Sequence, residues 1–266
     1  MINIIKSVNY GLRKDSGVII SVILMLTLPF TIMLGIFAMM AEGIQNITPS
    51  FLIGSQAFGM IFAFSYAGVV IISAKAMGGD NADKTINYEI MSGHNRLRVF
   101  VGRMICGILW GTILVIILNC LPILVFYLIN GWGSETEPYE VIIRICLTFF
   151  PVLRLCALNM MFASLLGSAG KGIAAGFGSF VLFDILESIL ADVFNTEINY
   201  GFGFMNILVL LIPQNSREFI IDGKPVTVFD TSVPPEMIIK TIGISLAFTV
   251  VYLTVSYILF KKKDRQ

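Results

Sequence analysis

Six long apolar runs alternate with polar breaks along this chain, covering residues 17–41, 51–74, 104–130, 141–166, 173–194 and 237–260. About 20 apolar residues at helical rise cross the roughly 30 Å hydrocarbon core of a bilayer, and each run is long enough. The pattern predicts an all-α membrane protein, a single transmembrane domain of six helices. The first 16 residues, MINIIKSVNYGLRKDS, are too polar for a signal peptide and lack a small-residue cleavage site before the first apolar run. They read as an interfacial helix, with Ile4 and Ile5 dipping into the membrane and Arg13 and Lys14 held at its surface.

The long polar break of the first half, residues 75–103, reads KAMGGDNADKTINYEIMSGHNRLRVFVGR and contains the only histidine, His94. Gly78 and Gly79 separate it from the run before. Asp80 or Asn81 can cap a short helix over 82–91, with Asp83 in its first turn, and the Ser92-Gly93 pair ends it. Ile86 and Ile90 share one face of that helix, while Lys84, Tyr88 and Met91 cluster on another. A helix so short is marginal by itself. It needs a surface to dock on, either lipid headgroups or a second protein. Headgroup helices carry polar faces rich in Lys and Arg; this one sets Asp83 and Glu89 against Lys84, which favours a protein.

Composition strengthens the membrane assignment. The chain is 56% hydrophobic and 13% charged, with mean hydropathy +0.87, whereas a soluble domain carries about 25% charged residues. A net charge of +1 and the lack of a basic domain offer nothing to nucleic acid. Charge placement sets the orientation. With the N-terminus inside, thirteen of the eighteen Lys and Arg residues fall on the inner side, two (Arg217 and Lys224) outside, and three (Arg144, Arg154, Lys240) within runs. The positive-inside rule then puts both termini in the cytoplasm.

Residues 195–236 become the one large outer segment. Within it Met205 to Ile212, bounded by Gly203 and Pro213, would reach only about 12 Å as a helix, which suits a re-entrant or interfacial piece. The remainder suits a small hairpin or an irregular cap. Ser55, Gly59, Ala63 and Ala67 recur every fourth residue, a stripe that lets another helix approach, inside the chain or in a second subunit. Gly107 with Gly111, and Gly170 with Ala174 and Gly178, repeat the spacing. Pro122 and Pro151 should kink the third and fourth helices.

Charges inside the membrane are costly and face the bundle interior or a water cavity. Arg154 on the fourth run and Asp184 on the fifth lie at similar depths, about 17 Å from the inner ends. Glu187 stands one turn beyond Asp184. They form either a structural ion pair or part of a substrate or proton pathway. Arg144, Asp192 and Lys240 lie nearer the outer end, where long side chains snorkel.

No catalytic residues are expected. The nearest approach to a phosphate-binding loop is Gly170-Lys171, but Leu165 stands where the first glycine belongs and Gly172 where the hydroxyl belongs. A single histidine and no HExxH leave no metal site. Gly176-x-Gly178 and Gly201-x-Gly203 lack a third glycine, so dinucleotide binding is unsupported. All four cysteines (106, 120, 146, 156) lie in apolar runs, away from disulfide or metal-ligand patterns.

The stretch DKTINYEIMSGHNRLRVFVGRM, between two spans of a six-span chain with a membrane-dipping outer segment before the last, resembles ABC-2-type transporter permeases. Asp83, Lys84, Thr85, Ile86, Glu89, Ser92, Gly93, Arg96 and Arg103 carry the resemblance. It implies that the short helix is a coupling helix docking on a separate ATP-binding subunit through Asp83, Lys84, Ile86, Tyr88, Glu89, Ile90 and Met91. It also implies that ATP and Mg bind that partner with no cofactor on this chain, and that a second permease copy or a related chain completes the path. The location implied is a bacterial cell membrane; the cargo implied is an exported amphipathic peptide or hydrophobic compound, such as a peptide toxin or drug. The alternative is a secondary transporter driven by an ion gradient through Arg154, Asp184 and Glu187. That alternative leaves the acidic amphipathic helix unexplained.

Overall fold

A computed structural model describes residues 2–39, 48–54, 56–78, 93, 95–133, 136–194, 215–221, 224–230 and 235–262. Among these, nine helices and one hairpin occur: α1 (Ile2–Lys14), α2 (Ser16–Met39), α3 (Pro49–Gly54), α4 (Gln56–Gly78), α5 (Arg96–Asn130), α6 (Pro138–Leu147), α7 (Phe149–Leu166), α8 (Ala169–Phe194), β1 (Asn215–Ile221), β2 (Lys224–Asp230) and α9 (Pro235–Lys262). Four stretches are long and apolar enough to cross a membrane: Ser16–Gly35, Arg96–Asn130, Pro138–Leu166 and Pro235–Lys261. Shorter apolar stretches, Ala63–Gly78 and Ala169–Phe183, lie in α4 and α8. The fold is thus helical, as expected, and of the two readings of the outer segment the hairpin holds: Asn215 pairs with Asp230 and Ile221 with Lys224, antiparallel. The expected short helix at 82–91 and the re-entrant piece at 205–212 lie outside the described residues.

Helices α4 and α7 form the centre. Helix α4 packs on α2, α5, α7 and α8, while α7 packs on α4, α5, α8 and α9. Every residue from Arg154 to Met160 is buried, the mark of a helix covered all round. Glycines permit the close contacts. A Cβ on Gly107 would strike the methyl of Met160, and one on Gly172 would lie 2.9 Å from Cα of Ala163. The expected pair on α5 holds, since a Cβ on Gly111 would lie 2.9 Å from the Cys156 sulfur, while the α8 stripe is displaced and only Ala63 and Ala67 of the α4 stripe have described surroundings. In α8 the contact falls on Gly172 and Gly176, while Ala174 and Gly178 face outward. In α4 Ala63 is exposed and Ala67 half-buried, and Gly68 and Gly78 make the close approaches.

Helix α5 has 35 residues, about 52 Å at helical rise, well beyond one hydrocarbon core. It starts eight residues before the apolar run because Asn95 caps it, accepting a bond from the Leu97 N–H at 3.2 Å. Its added turns are covered by α9, with Tyr257 and Phe260 ring centres 5.4 and 5.7 Å from that of Phe100, and by the start of α1. Ile4, Val8 and Leu12, spaced at i, i+4 and i+8, are buried, and the γ-methyl of Ile4 sits where a Cβ on Gly102 would be, 2.9 Å away. Ile4, expected to dip into lipid, instead packs on α5 because Gly102 leaves room for it.

The fourth apolar run is broken at Thr148 into α6 and α7. Pro151 has no N–H for the carbonyl of Leu147, and its ring crowds that carbonyl. Helix α5 continues through Pro122 without interruption.

Candidate functional site

The basic end of the bundle gathers five chain segments. Gly78, the last residue of α4, abuts the turn between α7 and α8: a Cβ there would lie 2.8 Å from the backbone nitrogen of Ala169. That turn is tight because Gly167 ends α7 with φ of 69°, a left-handed conformation glycine adopts without strain. One turn earlier in α4, Lys75 Nζ donates to Asp15 Oδ2 at 2.6 Å. Asp15 lies at the junction of α1 and α2, and its other oxygen accepts from the Val18 N–H at 3.1 Å, capping α2. Burial pushes the Asp15 carboxyl up, but the Lys75 bond and charge and the N–H groups at the start of α2 outweigh it and hold the carboxyl below its ordinary value. At the far side of the gap after α4, Arg96 Nη1 at the start of α5 donates to the carbonyl of Lys261 at 3.3 Å, near the end of α9.

The end of α4 and the start of α5 are thus held by the start of α2, the α7–α8 turn and α9. Gly93 takes φ of 85°, the left-handed conformation expected at this glycine. The docking residues proposed from sequence (Asp83, Lys84, Ile86, Tyr88, Glu89, Ile90, Met91) fall outside the described residues. Their two chain connections do not, and both are built into the bundle.

Buried polar groups mark a second region. Arg154 is 2% exposed, with its guanidinium carbon 6.0 Å from the ring centre of Phe248 on α9. Helices α7 and α8 pack together, but the side chains of Asp184 and Glu187 lie outside the description. Arg144, expected to snorkel, is 4% exposed and enclosed by protein; α6 packs against α7 and α9. Lys240 does remain exposed, 3.8 Å from Glu236 one turn away. Two groups escaped the sequence reading. Arg103, counted there among the inner-side charges, is wholly buried. Asn159 is also fully buried. Its amide donates to the Leu155 carbonyl at 2.8 Å, and its oxygen points at Gly176. The Gly176 carbonyl accepts from Tyr66 of α4 at 3.0 Å and from Ser179 at 2.7 Å, so a polar seam joins α4, α7 and α8.

The family model for ABC-2 family transporter proteins matches residues 51–265, four fifths of the chain, including both anchored ends of the 79–92 segment. The chain belongs to the ABC-2 transporter family. No curated protein and no solved structure matches it. Membership makes this permease a multi-pass membrane component of an ABC transporter, itself a transport rather than a catalytic part, and implies an ABC ATP-binding partner.

Proposed function

We propose that this chain is the membrane-spanning half of an ATP-driven exporter that moves amphipathic peptides or hydrophobic compounds out of the cell. ATP and Mg act on a separate subunit. Six spans cross the membrane, with α4 and α8 joining the four stretches long and apolar enough to cross it, and both termini face the cytoplasm, as the positive-inside count favours. Two permease chains, identical or related, line the path. Residues 83–91 form the coupling helix, with Ile86, Tyr88, Ile90 and Met91 as apolar anchors and Glu89 as a polar partner.

The observation that carries this reading is the anchoring of both ends of the 79–92 segment. A push on it is felt by α2 through Lys75 and Asp15, by the α7–α8 turn through Gly78, and by α9 through Arg96. An ATPase closing on nucleotide would bias the spans between two packings through these contacts.

The test is purification of the tagged chain from native membranes in mild detergent, with ATPase activity assayed in the eluate. An ATP-binding subunit should co-purify, and the Tyr88→Ala, Glu89→Lys double variant should lose most of it. A well-folded chain that emerges alone and inactive refutes the docking reading. If such a chain instead drives ion-coupled uptake in vesicles, and Asp184→Asn abolishes that uptake, the gradient-driven alternative takes its place.

A further inference from the structure

A cavity of about 230 Å³ lies between α1, α2, α4 and α5 at the basic end of the bundle. Leu12, Val18, Val22, Ile72 and Trp110 form its walls, and Arg13 is the one charged residue among them. The guanidinium of Arg13 lies over the Trp110 ring, 5.4 Å from its centre, and the indole N–H donates to Asn9 of α1 at 3.0 Å. The ring thereby fixes the cation at the mouth of an apolar slot. We infer that this slot binds an anionic phospholipid, with one acyl chain along α2 and the headgroup phosphate on Arg13.

Three observations select that occupant. The cavity opens beside Ile19, Ile20 and Ile23, which are 43%, 57% and 53% exposed on the outer side of α2, so a ligand reaches it from the bilayer. From Val18 to Ile23 the wall runs about 8 Å at helical rise, room for the upper part of a chain lying parallel to the helix. The charges also favour an anion. Helix α1 carries Lys6, Arg13 and Lys14 and no acidic residue. Asp15, the neighbouring carboxylate, is held by Lys75 at 2.6 Å and does not neutralise them. A zwitterionic lipid would bring its ammonium towards the cations of α1, where the neighbouring described carboxylate, Asp15, is already held by Lys75.

Trp110 and Trp132 are the only tryptophans, so Trp132→Phe leaves a single reporter in the slot wall. That variant, full length in nanodiscs, would be titrated with phosphatidylglycerol or phosphatidylcholine brominated on the acyl chain, at equal mole fractions. Quenching of Trp110 should show a preference of about fivefold for phosphatidylglycerol, the effect of roughly one basic residue near an anionic lipid. Arg13→Gln should abolish the preference and Arg13→Lys keep part of it. Val22→Phe, which narrows the slot and leaves the charge, should weaken quenching by phosphatidylglycerol. Trp110→Phe, with Trp132 as reporter, should show no preference. Equal quenching by the two lipids, a preference that survives Arg13→Gln, or quenching indifferent to Val22→Phe overturns the proposal.

Discussion

Helix α2 and the α6–α7 pair belong to one bundle and are both long and apolar, but they meet opposite surroundings. Within the most apolar window of each, 17% of α2 is buried inside the protein against 61% of the Pro138–Leu166 stretch. Helix α2 turns Ile20, Ile23 and Leu24 outward. Helix α7 instead buries Cys156, Ala157, Asn159, Ala163 and Ser164. In a bilayer the lipid tails are as apolar as leucine, so greasiness gives no reason for one helix to seek another. Small side chains that permit close packing, and polar ones that need partners, decide which helix goes inside. The same contrast separates their tethers: α7 is gripped along its length, and α2 is pinned at its first turn through Asp15.

The sharpest way to break this comparison is a pair of glycine substitutions on α8. Gly172→Leu puts a side chain against the backbone of Ala163 and should cost about 1–3 kcal/mol or prevent folding. Gly178→Leu enters open space and should change little. Thermal unfolding and monodispersity in detergent read both, and equal effects would refute the packed face assigned to α8.

The tether of α2 comes next. Asp15 has a lowered pKa in the fold, so its stabilisation is complete above the unfolded value of about 3.9 and fades as pH falls through the folded value. Asp15→Asn should cost up to about 1 kcal/mol at neutral pH. It should also flatten the pH dependence of melting below about pH 4. A wild-type curve no steeper than that of the variant would remove Asp15 from the account.

On α7, the Ser164 and Ser256 hydroxyls lie 2.8 Å apart. Ser164→Ala should cost about 0.6 kcal/mol, because Ser256 keeps its 3.3 Å bond to the Met160 carbonyl. A loss of several kcal/mol by chemical unfolding would mean that this pair holds α9 more firmly than its geometry suggests. The smallest effect belongs to Ile20→Ala on α2, within about 0.5 kcal/mol, since no protein packs on that side chain's outer surface. A large loss there would show that α2 is covered by another chain.

Much of the fold was legible because membrane solvation acts on runs of residues. Apolar length marked the helices, Pro151 marked the break before α7, and Gly93 marked a left-handed turn. Basic residues marked the ends of α4, α5 and α9, where Lys75, Arg96 and Lys261 stand. What escaped reading depended on neighbours. The period-four stripe at Gly170, Ala174 and Gly178 looks like a packing motif, but within this chain the contacts of α8 fall on Gly172 and Gly176, one face over. Arg103 looked like a boundary charge and Arg144 like a snorkelling one, yet both are buried by segments distant in sequence. Ile4 looked suited to lipid and packs on Gly102. Asp15 and Lys75, sixty residues apart, give no local sign of being a pair.

Hydropathy and charge along the sequence were enough to place this chain in a membrane, to mark roughly where its helices run and to show which end is basic. Those properties follow from hydropathy, charge and backbone chemistry summed over local windows. The packing in three dimensions settled which helices lie inside, which charges are covered, and which segments hold the end of α4 and the start of α5. Those outcomes rest on shape complementarity and pairing between distant residues, to which hydropathy is blind.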